Sequence, residues 1–312
     1  MRTIRKRLLT VAMLVLPALA LVAGRSALTA KAGHKLDADQ IAKAAGTKAT
    51  TTKDGVVRIA WARTDVAVTV DGMPLKPFAG LGSWAAFTSA PHGAMVMGDT
   101  VVFQDEVDAA MDAAFEGGLE VSALHNHFFF DEPKVYFMHI GGRGEPEKLA
   151  AAVKGVWDAI KKVRAEHAAP AKQFAGEAPK PGKIDDEAIE KILEQKGETQ
   201  QGVVKVTIGR EGTMHKVKVG GSMGLTTWAA FSGSDELAAV DGDFIMTANE
   251  VQPVLRALRK AGIHIVALHN HMIDEQPAFY FTHFWGKGAA QELAKSVKSA
   301  LDAQKNAASE AH

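Results

Sequence analysis

Cysteine is absent from the 312 residues. No disulfide can form, no thiolate zinc site or iron–sulfur cluster can be built, and no lipobox cysteine is present for lipid attachment. Any metal site must therefore draw on His, Asp, Glu, Asn or Met. Charge of one sign is also lacking, since 36 basic residues balance 36 acidic ones. Only one apolar run approaches membrane length. It spans Leu8 to Ala23, about sixteen residues, and a spanning helix needs ~20. A serine-nucleophile motif, a phosphate loop and a dinucleotide fingerprint are missing too, which disfavours those enzyme classes.

The apolar run follows Arg2, Arg5, Lys6 and Arg7 and precedes small residues, with cleavage expected after Ala20 or near residues 30–32. Residues 1–32 thus read as a secretory signal peptide, the alternative being an uncleaved N-terminal anchor. They hold six basic residues and no acidic one, so the remaining chain carries 30 basic against 36 acidic residues, a net charge of about −6. A mildly acidic chain offers no electrostatic footprint for nucleic acid or anionic lipid. The expectation is a periplasmic or secreted protein, not lipidated, with no stable membrane span once the signal is removed.

The rest of the chain is a duplication. Trp84-Ala85-Ala86-Phe87 recurs as Trp228-Ala229-Ala230-Phe231, and Ala123-Leu124-His125-Asn126-His127 as Ala267-Leu268-His269-Asn270-His271. Pro133, Tyr136-Phe137 and His139 recur as Pro277, Tyr280-Phe281 and His283. The offset is 144, and 84–144 against 228–288 gives 23 identities in 61 positions without a gap. Upstream, Gly55 to Arg58 matches Gly202 to Lys205. The expected organisation is repeat domain 1 over 33–167, a linker rich in Ala, Pro, Gly and Lys over 168–183, and repeat domain 2 over 184–312.

Each repeat reads as a short helix (36–46; 184–195), Val- and Ile-rich strands (56–62 and 66–71; 203–208 and 214–219), and the Trp-Ala-Ala-Phe strand. A strand at 94–103 or 238–247 follows, then an amphipathic helix (106–115; 250–260). The strand 119–124 or 263–268 comes next, then one bearing Tyr136 or Tyr280, and a closing helix (146–166; 289–304). Hairpins outnumber βαβ crossovers, which argues for α+β. The picture is two homologous repeats related by a pseudo-twofold, each a largely antiparallel sheet with packed helices.

Six of the twelve histidines hold equivalent positions: His125, His127 and His139, and His269, His271 and His283. His-x-His on a strand places both rings on one face, with Asn126 or Asn270 on the other. If His127 pairs opposite His139 across a loop of about five residues, three imidazoles converge. The same holds for His271 and His283. Three imidazoles suit Zn, Cu, Ni or Fe with a position open for water or substrate. The competing readings are a metal-free ligand or proton-transfer site and purely structural histidines. Core positions swap one apolar residue for another between copies, as Met111 and Leu255 do, and the histidines do not swap.

Asp131 and Glu275, four residues past the second histidine, are candidates for a fourth ligand or a general base. The His-x-His-x₃-acid pattern echoes the cupin metal motif but lacks its spaced glycines, and the contiguous His-Asn-His is not the dispersed signature of HNH nucleases. Glu106 and Glu250 follow the N-cap types Asp105 and Asn249, so they read as helix-dipole partners, with a catalytic carboxylate as the alternative. Trp84 and Trp228 read as core aromatics, and Gly98-Asp99 and Gly242-Asp243 as turns. Gly141-Gly142-x-Gly144 and Gly286-x-Gly288 read as helix-entry loops, with an anion cradle as the alternative.

The Trp-Ala-Ala-Phe, Ala-Leu-His-Asn-His and Tyr-Phe-x-His series, twice in one exported chain, resembles the LppY/LpqO family of exported bacterial proteins. That resemblance implies a duplicated domain of unknown function and no reaction. Its name-giving members are lipoproteins, from which a chain without cysteine departs. Three functions stand as expectations: a periplasmic transition-metal-binding protein, a metal-dependent hydrolase, and a non-catalytic module for a small molecule or partner.

Overall fold

The computed structural model describes residues 35–310. The signal-peptide expectation for 1–32 lies outside the described residues. Repeat 1 begins with helix α1 (Ala38–Ala45) and strands β1 (Ala49–Thr51), β2 (Val57–Ala62), β3 (Gly82–Ala90) and β4 (Gly93–Phe103). Helix α2 (Val107–Glu116), strands β5 (Glu120–His125) and β6 (Val135–Gly144) and helix α3 (Pro146–Glu166) complete it. Repeat 2 has the same order: α4 (Asp186–Leu193), β7 (Gly197–Gln200), β8 (Val203–Gly209), β9 (Thr226–Gly233), β10 (Ala238–Met246), α5 (Ala248–Lys260), β11 (His264–His269), β12 (Tyr280–Gly288) and α6 (Ala290–Glu310).

These strands form one 12-stranded sheet in the order β1-β2-β3-β4-β6-β5-β11-β12-β10-β9-β8-β7. Neighbours pair antiparallel, so the fold is α+β. The order reads alike from either end, which places a pseudo-twofold at the β5–β11 junction, where Leu124 lies opposite Leu268. The expected strands at 66–71 and 214–219 are shorter and leave this sheet. Thr69–Val70 and Met73–Pro74 join Asp131–Glu132, and Gly212–Met214 and Val217–Val219 join Glu275–Gln276, in two separate three-stranded sheets.

The sheet has two unlike faces. Val96, Val102, Val121, Leu124, Met138 and Ile140 are buried with Met111, Val153 and Ile160 of the helices, and one contiguous core runs through both repeats. The alternate residues of the same strands, Val101, Phe103, Val135 and Phe137, face away and form a small satellite core with Val68 and Leu81. Repeat 2 has its own satellite of Val219, Leu225, Ile245, Phe279 and Phe281. The helix-covered face explains the glycine series, which lies within β6 and β12 rather than in helix-entry loops. A Cβ on Gly286 would stand 2.6 Å from Ile263 Cδ1 and 3.2 Å from Leu293 Cδ2, so glycine is what lets Ile263, just before β11, and Leu293 of α6 close on the strand. Gly98-Asp99 and Gly242-Asp243 are likewise mid-strand, not turns, and a Cβ on Gly242 would collide with the Phe284 ring.

Complementary charge joins the repeats. On α5, Gln252, Arg256 and Arg259 stand where α2 has Asp108, Asp112 and Phe115. Arg259 donates to both Asp112 oxygens at 2.9 Å and pairs with Asp108. Arg256 donates to the carbonyls of Phe115 and Leu119, and Gln252 exchanges two hydrogen bonds with the backbone of Val121. The segment 168–183 has no helix or strand, yet it is pinned. Lys287 donates to the carbonyls of Phe174, Gly176 and Glu177, Ala171 N–H donates to Asp105, and Phe174 stacks on His264 at 3.8 Å.

Glu106 and Glu250 are anchors of the β4–α2 and β10–α5 corners. Both Glu106 oxygens accept from Arg63 at 2.8 Å, one also accepts from Phe103 N–H, and Arg164 pairs with it from α3. Glu250 accepts from Arg210, Thr247 N–H and Gln304, and forms a capping box with Thr247. Asp105 and Asn249 do not cap: Asp105 binds Arg164, and Asn249 lies inside α5 and donates to Ala307 O. Arg63→Ala leaves Glu106 buried without its main cation and is expected to cost about 3–5 kcal/mol. Arg210→Ala is expected to cost less, because Arg210 is 29% exposed and water reaches its site. Urea unfolding of the two variants checks the order.

Candidate metal centres

The strand carrying each His-Asn-His is bulged. Val121 pairs with Ile140 and Ala123 with His139, leaving Ser122 as the extra residue, and Val266 is the extra residue in β11. Without the bulge, period two would put His125 on the same face as buried Val121. With it, Val121 and Leu124 both enter the helix-side core and His125 turns to the open face. His139 lies on that face too, directly opposite Ala123 on one side and Asp99 on the other.

The expected pairing of His127 with His139 is therefore not the observed one. Strand β5 ends at His125, which lies opposite Phe137. His127 comes after the strand and folds back so that its ring covers Phe137, centroids 3.3 Å apart and planes 5° from parallel. His271 covers Phe281 in the same way at 3.5 Å. The three rings still meet. Centroids are 5.1 Å apart for His125–His127 and His125–His139, and 5.0 Å for His269–His271 and His269–His283. In repeat 2, one nitrogen from each of His269, His271 and His283 lies within 4.8 Å of the others.

The ring tautomers follow from the neighbours. Nδ1 of His125 is 3.2 Å from Asn126 O, and Nδ1 of His269 is 3.2 Å from Asn270 O. A carbonyl only accepts, so Nδ1 carries the proton and Nε2 keeps its lone pair free for a ligand. His283 Nδ1 makes a similar 3.3 Å contact to Gly242 O. The asparagines between the histidines shape the turn: Asn126 donates to Phe128 O and Asn270 to Met272 O.

A fourth group is present that sequence reasoning missed. Asp99 and Asp243 lie on the open face beside His139 and His283, and both are buried, at 9% and 3% exposure. Asp99 Oδ1 is 3.9 Å from His139 Nε2, and Asp243 Oδ2 is 3.6 Å from His271 Nε2. Asp99 Oδ1 and Asp243 Oδ1 have no hydrogen-bond partner, an arrangement that is costly unless something else satisfies them. The signal available in the sequence was retention of the acid in both copies. A neighbouring glycine made it look like a turn.

The acids expected in this role are engaged elsewhere. Asp131 accepts from Val135 N–H at 2.7 Å and from Lys134, and Glu275 accepts from Phe279 N–H at 2.8 Å, so each closes its own loop. Trp84 and Trp228 are not in the core. They stand half-buried on the open face, opposite Asp99 and Asp243, with Arg58 over Trp84 at 4.8 Å and Lys205 over Trp228 at 4.3 Å. Tyr136 and Tyr280 pack on the helix side, as their odd spacing from His139 and His283 implies.

The electrostatics suit a cation. Burial raises the Asp99 and Asp243 carboxyls above their usual range, and the nearby imidazoles pull them back only in part. Burial also lowers His127 and His271, and the neighbouring imidazoles lower them further. The neutral imidazole is favoured at His127 and His271, and a charged Asp99 or Asp243 carboxylate costs energy without a counter-ion. A raised folded-state pKa makes the charged carboxylate destabilising at pH 7, and that cost fades as pH falls below the raised value. Asp243→Asn is therefore expected to raise the metal-free midpoint by roughly 2–4 °C at pH 7. The gain should shrink toward pH 4, as thermal scans across pH would show.

No curated protein matches the chain in sequence. Among solved structures, a trimeric bacterial microcompartment shell protein, PduB, aligns with 84% of this chain and 92% of its own at 10% identity and a TM-score of 0.21. The double-ringed trimeric shell protein MSM0271 from the RMM microcompartment aligns with 80% of this chain and 94% of its own at 12% identity and a TM-score of 0.19. Likeness this slight carries no argument. Among the described residues no helix is long and apolar enough to cross a membrane. One family model matches twice, over 39–159 and 187–303, and spans both histidine sites. The chain therefore belongs to the family described as Domain of Unknown Function (DUF1259), whose domain it carries twice.

Proposed function

We propose that this chain is a periplasmic transition-metal-binding protein with one three-histidine, one-aspartate centre in each repeat. The centres are His125, His127, His139 and Asp99, and His269, His271, His283 and Asp243. The observation that carries the reading is the convergence of His269, His271 and His283, one nitrogen from each within 4.8 Å of the others, beside buried Asp243, with the rings of His125, His127 and His139 at matching centroid spacings beside Asp99. Metal bonds of about 2.0–2.1 Å at tetrahedral angles separate donor atoms by roughly 3.3 Å, so the one Asp–His contact in each repeat, 3.9 Å and 3.6 Å, tightens by a few tenths of an ångström, while the histidine nitrogens of repeat 2, within 4.8 Å of one another, draw closer still. Three nitrogens and one oxygen suit Zn²⁺ or Fe²⁺ better than a soft ion such as Cu⁺. The LppY/LpqO resemblance and the basic-apolar start of the sequence support an exported protein.

The hydrolase alternative loses the base first considered for it, because Asp131 and Glu275 are held by their own loops. The third expectation, a non-catalytic module for a small molecule or partner, stands as a separate alternative.

Elemental analysis of untagged mature protein is expected to find about two equivalents of one transition metal, falling to one in either repeat's triple His→Ala variant. Asp243→Asn is expected to weaken metal binding at repeat 2 by at least about tenfold while stabilising the metal-free form. Loss of affinity without that apoprotein gain would indicate a folding defect. No metal, native or after reconstitution with Zn²⁺, Cu²⁺, Ni²⁺ or Fe²⁺, sinks the reading.

A further inference from the structure

Large apolar side chains on a surface are ordinary one at a time and informative when they gather. Among the described residues ten stand exposed, and seven of them lie on loops beside the histidine clusters. In repeat 1 these are Met73, Phe78, Phe129 and Phe130, and in repeat 2 Val217, Met223 and Ile273. Each group forms one foot. In repeat 1, Met73 belongs to the small sheet that includes Asp131–Glu132, and Asp71 N–H donates to Phe130 O. A Cβ on Gly80 would stand 3.0 Å from the Phe128 ring, so the 3₁₀ turn Pro77–Ala79 abuts the loop after His127. In repeat 2, Val217 lies opposite Met214, which lies opposite Glu275. Each foot rests on its satellite core, so both project from the face that carries the histidines. They follow the C-terminal ends of antiparallel neighbours β5 and β11, at opposite ends of the pair.

The two copies keep these positions apolar and outward. Met73 and Val217 are equivalent residues, 63% and 62% exposed. Phe129 and Ile273 are equivalent too, at 79% and 76%. Phe78 and Met223 lie on the corresponding 3₁₀ turns, Pro77–Ala79 and Gly221–Met223. Hydrophobicity is kept at each place and shape is not, since a thioether answers a branched chain and a ring answers a branched chain or a thioether. A protein partner packs against its target as tightly as an interior does and reads shape. A fluid apolar layer reads hydrophobicity alone, because that attraction has no direction. Exposed charges of both signs surround each foot: Lys76 and Lys134 with Asp71 and Glu132, and Lys216 and Lys218 with Glu211 and Asp274. That balance matches a headgroup layer carrying both signs and gives no preference for an anionic one.

We propose that the two feet set their apolar tips into the surface of a lipid bilayer, with the open face of the sheet turned toward the headgroups. The contact is peripheral, and it stands whether or not the histidine clusters hold metal. Two feet on one face meet a plane together, so binding of one raises the effective concentration of the other at the surface. The lysine stems beside the tips lie along the apolar boundary while their ammonium groups stay among the headgroups.

The test is flotation of mature protein with vesicles of phosphatidylcholine and, separately, of phosphatidylethanolamine with phosphatidylglycerol. Residues 1–32 are absent, so the apolar run Leu8–Ala23 contributes nothing. The protein is expected to float with both compositions and to stay bound in high salt. Phe78→Ser/Phe129→Ser/Phe130→Ser and Val217→Ser/Met223→Ser/Ile273→Ser should each lower partitioning about tenfold or more, and the six together should abolish it. These positions are exposed, and unchanged thermal midpoints confirm that the variants fold. Exchanging residues between the copies, as Phe129→Ile with Ile273→Phe, should leave partitioning within about twofold, because hydrophobicity is kept. No flotation, flotation that needs phosphatidylglycerol or fails in salt, serine variants that float like the parent, or an exchange variant that does not float would each overturn the proposal. So would sedimentation velocity showing a lipid-free dimer that the serine variants dissolve, which would assign the tips to a second copy of the chain.

Discussion

One extra residue in each central strand governs the open face of this protein. Strand side chains alternate with period two, so the burial of Val121 commits every second residue after it to the helix-covered side. The bulge at Ser122 breaks that phase. Leu124 takes the buried place and His125 is released to the opposite face, where His139 and Asp99 already point. The bulge at Val266 does the same for His269. A bulge here converts a core strand into one that serves a core on one side and a polar cluster on the other.

The duplication makes the arrangement stable. The repeats share one sheet and one core, joined where Leu124 meets Leu268 and where basic α5 lies along acidic α2. Two identical copies of α2 would bring like charges together at the pseudo-twofold. Divergence to Arg256 and Arg259 on one side and Asp108 and Asp112 on the other removes that repulsion and makes the contact specific to unlike halves. A consequence is that both histidine clusters lie on the same side of the sheet.

The polar residues retained in both copies divide into two kinds by what satisfies them. Glu106, Glu250, Asp131 and Glu275 have their lone pairs occupied by guanidinium groups or backbone N–H groups, and they hold corners and loops. Asp99 and Asp243 are buried with an oxygen left over beside three imidazoles. Retention alone could not separate these cases, because it marks a carboxylate that anchors a helix and one buried beside histidines alike.

By itself the sequence determined the duplication, the α+β class, nearly all the helices and main strands, and the six histidines that come together. These rest on local patterns: register between copies, period 3.6 or 2, and residue types that do not exchange. Tertiary structure alone decided the rest. Pairing register moved His139 from opposite His127 to opposite Ala123, a slip of an even number of places that kept its face. Sheet formation turned an apparent Gly-Asp turn into a mid-strand position on the open face beside the histidines, brought Trp84 out of the expected core, and joined two expected domains into one sheet. The physical reason is common to all four. Which strand lies beside which, and in what register, is set by contacts between residues far apart in the chain, and no local period encodes them.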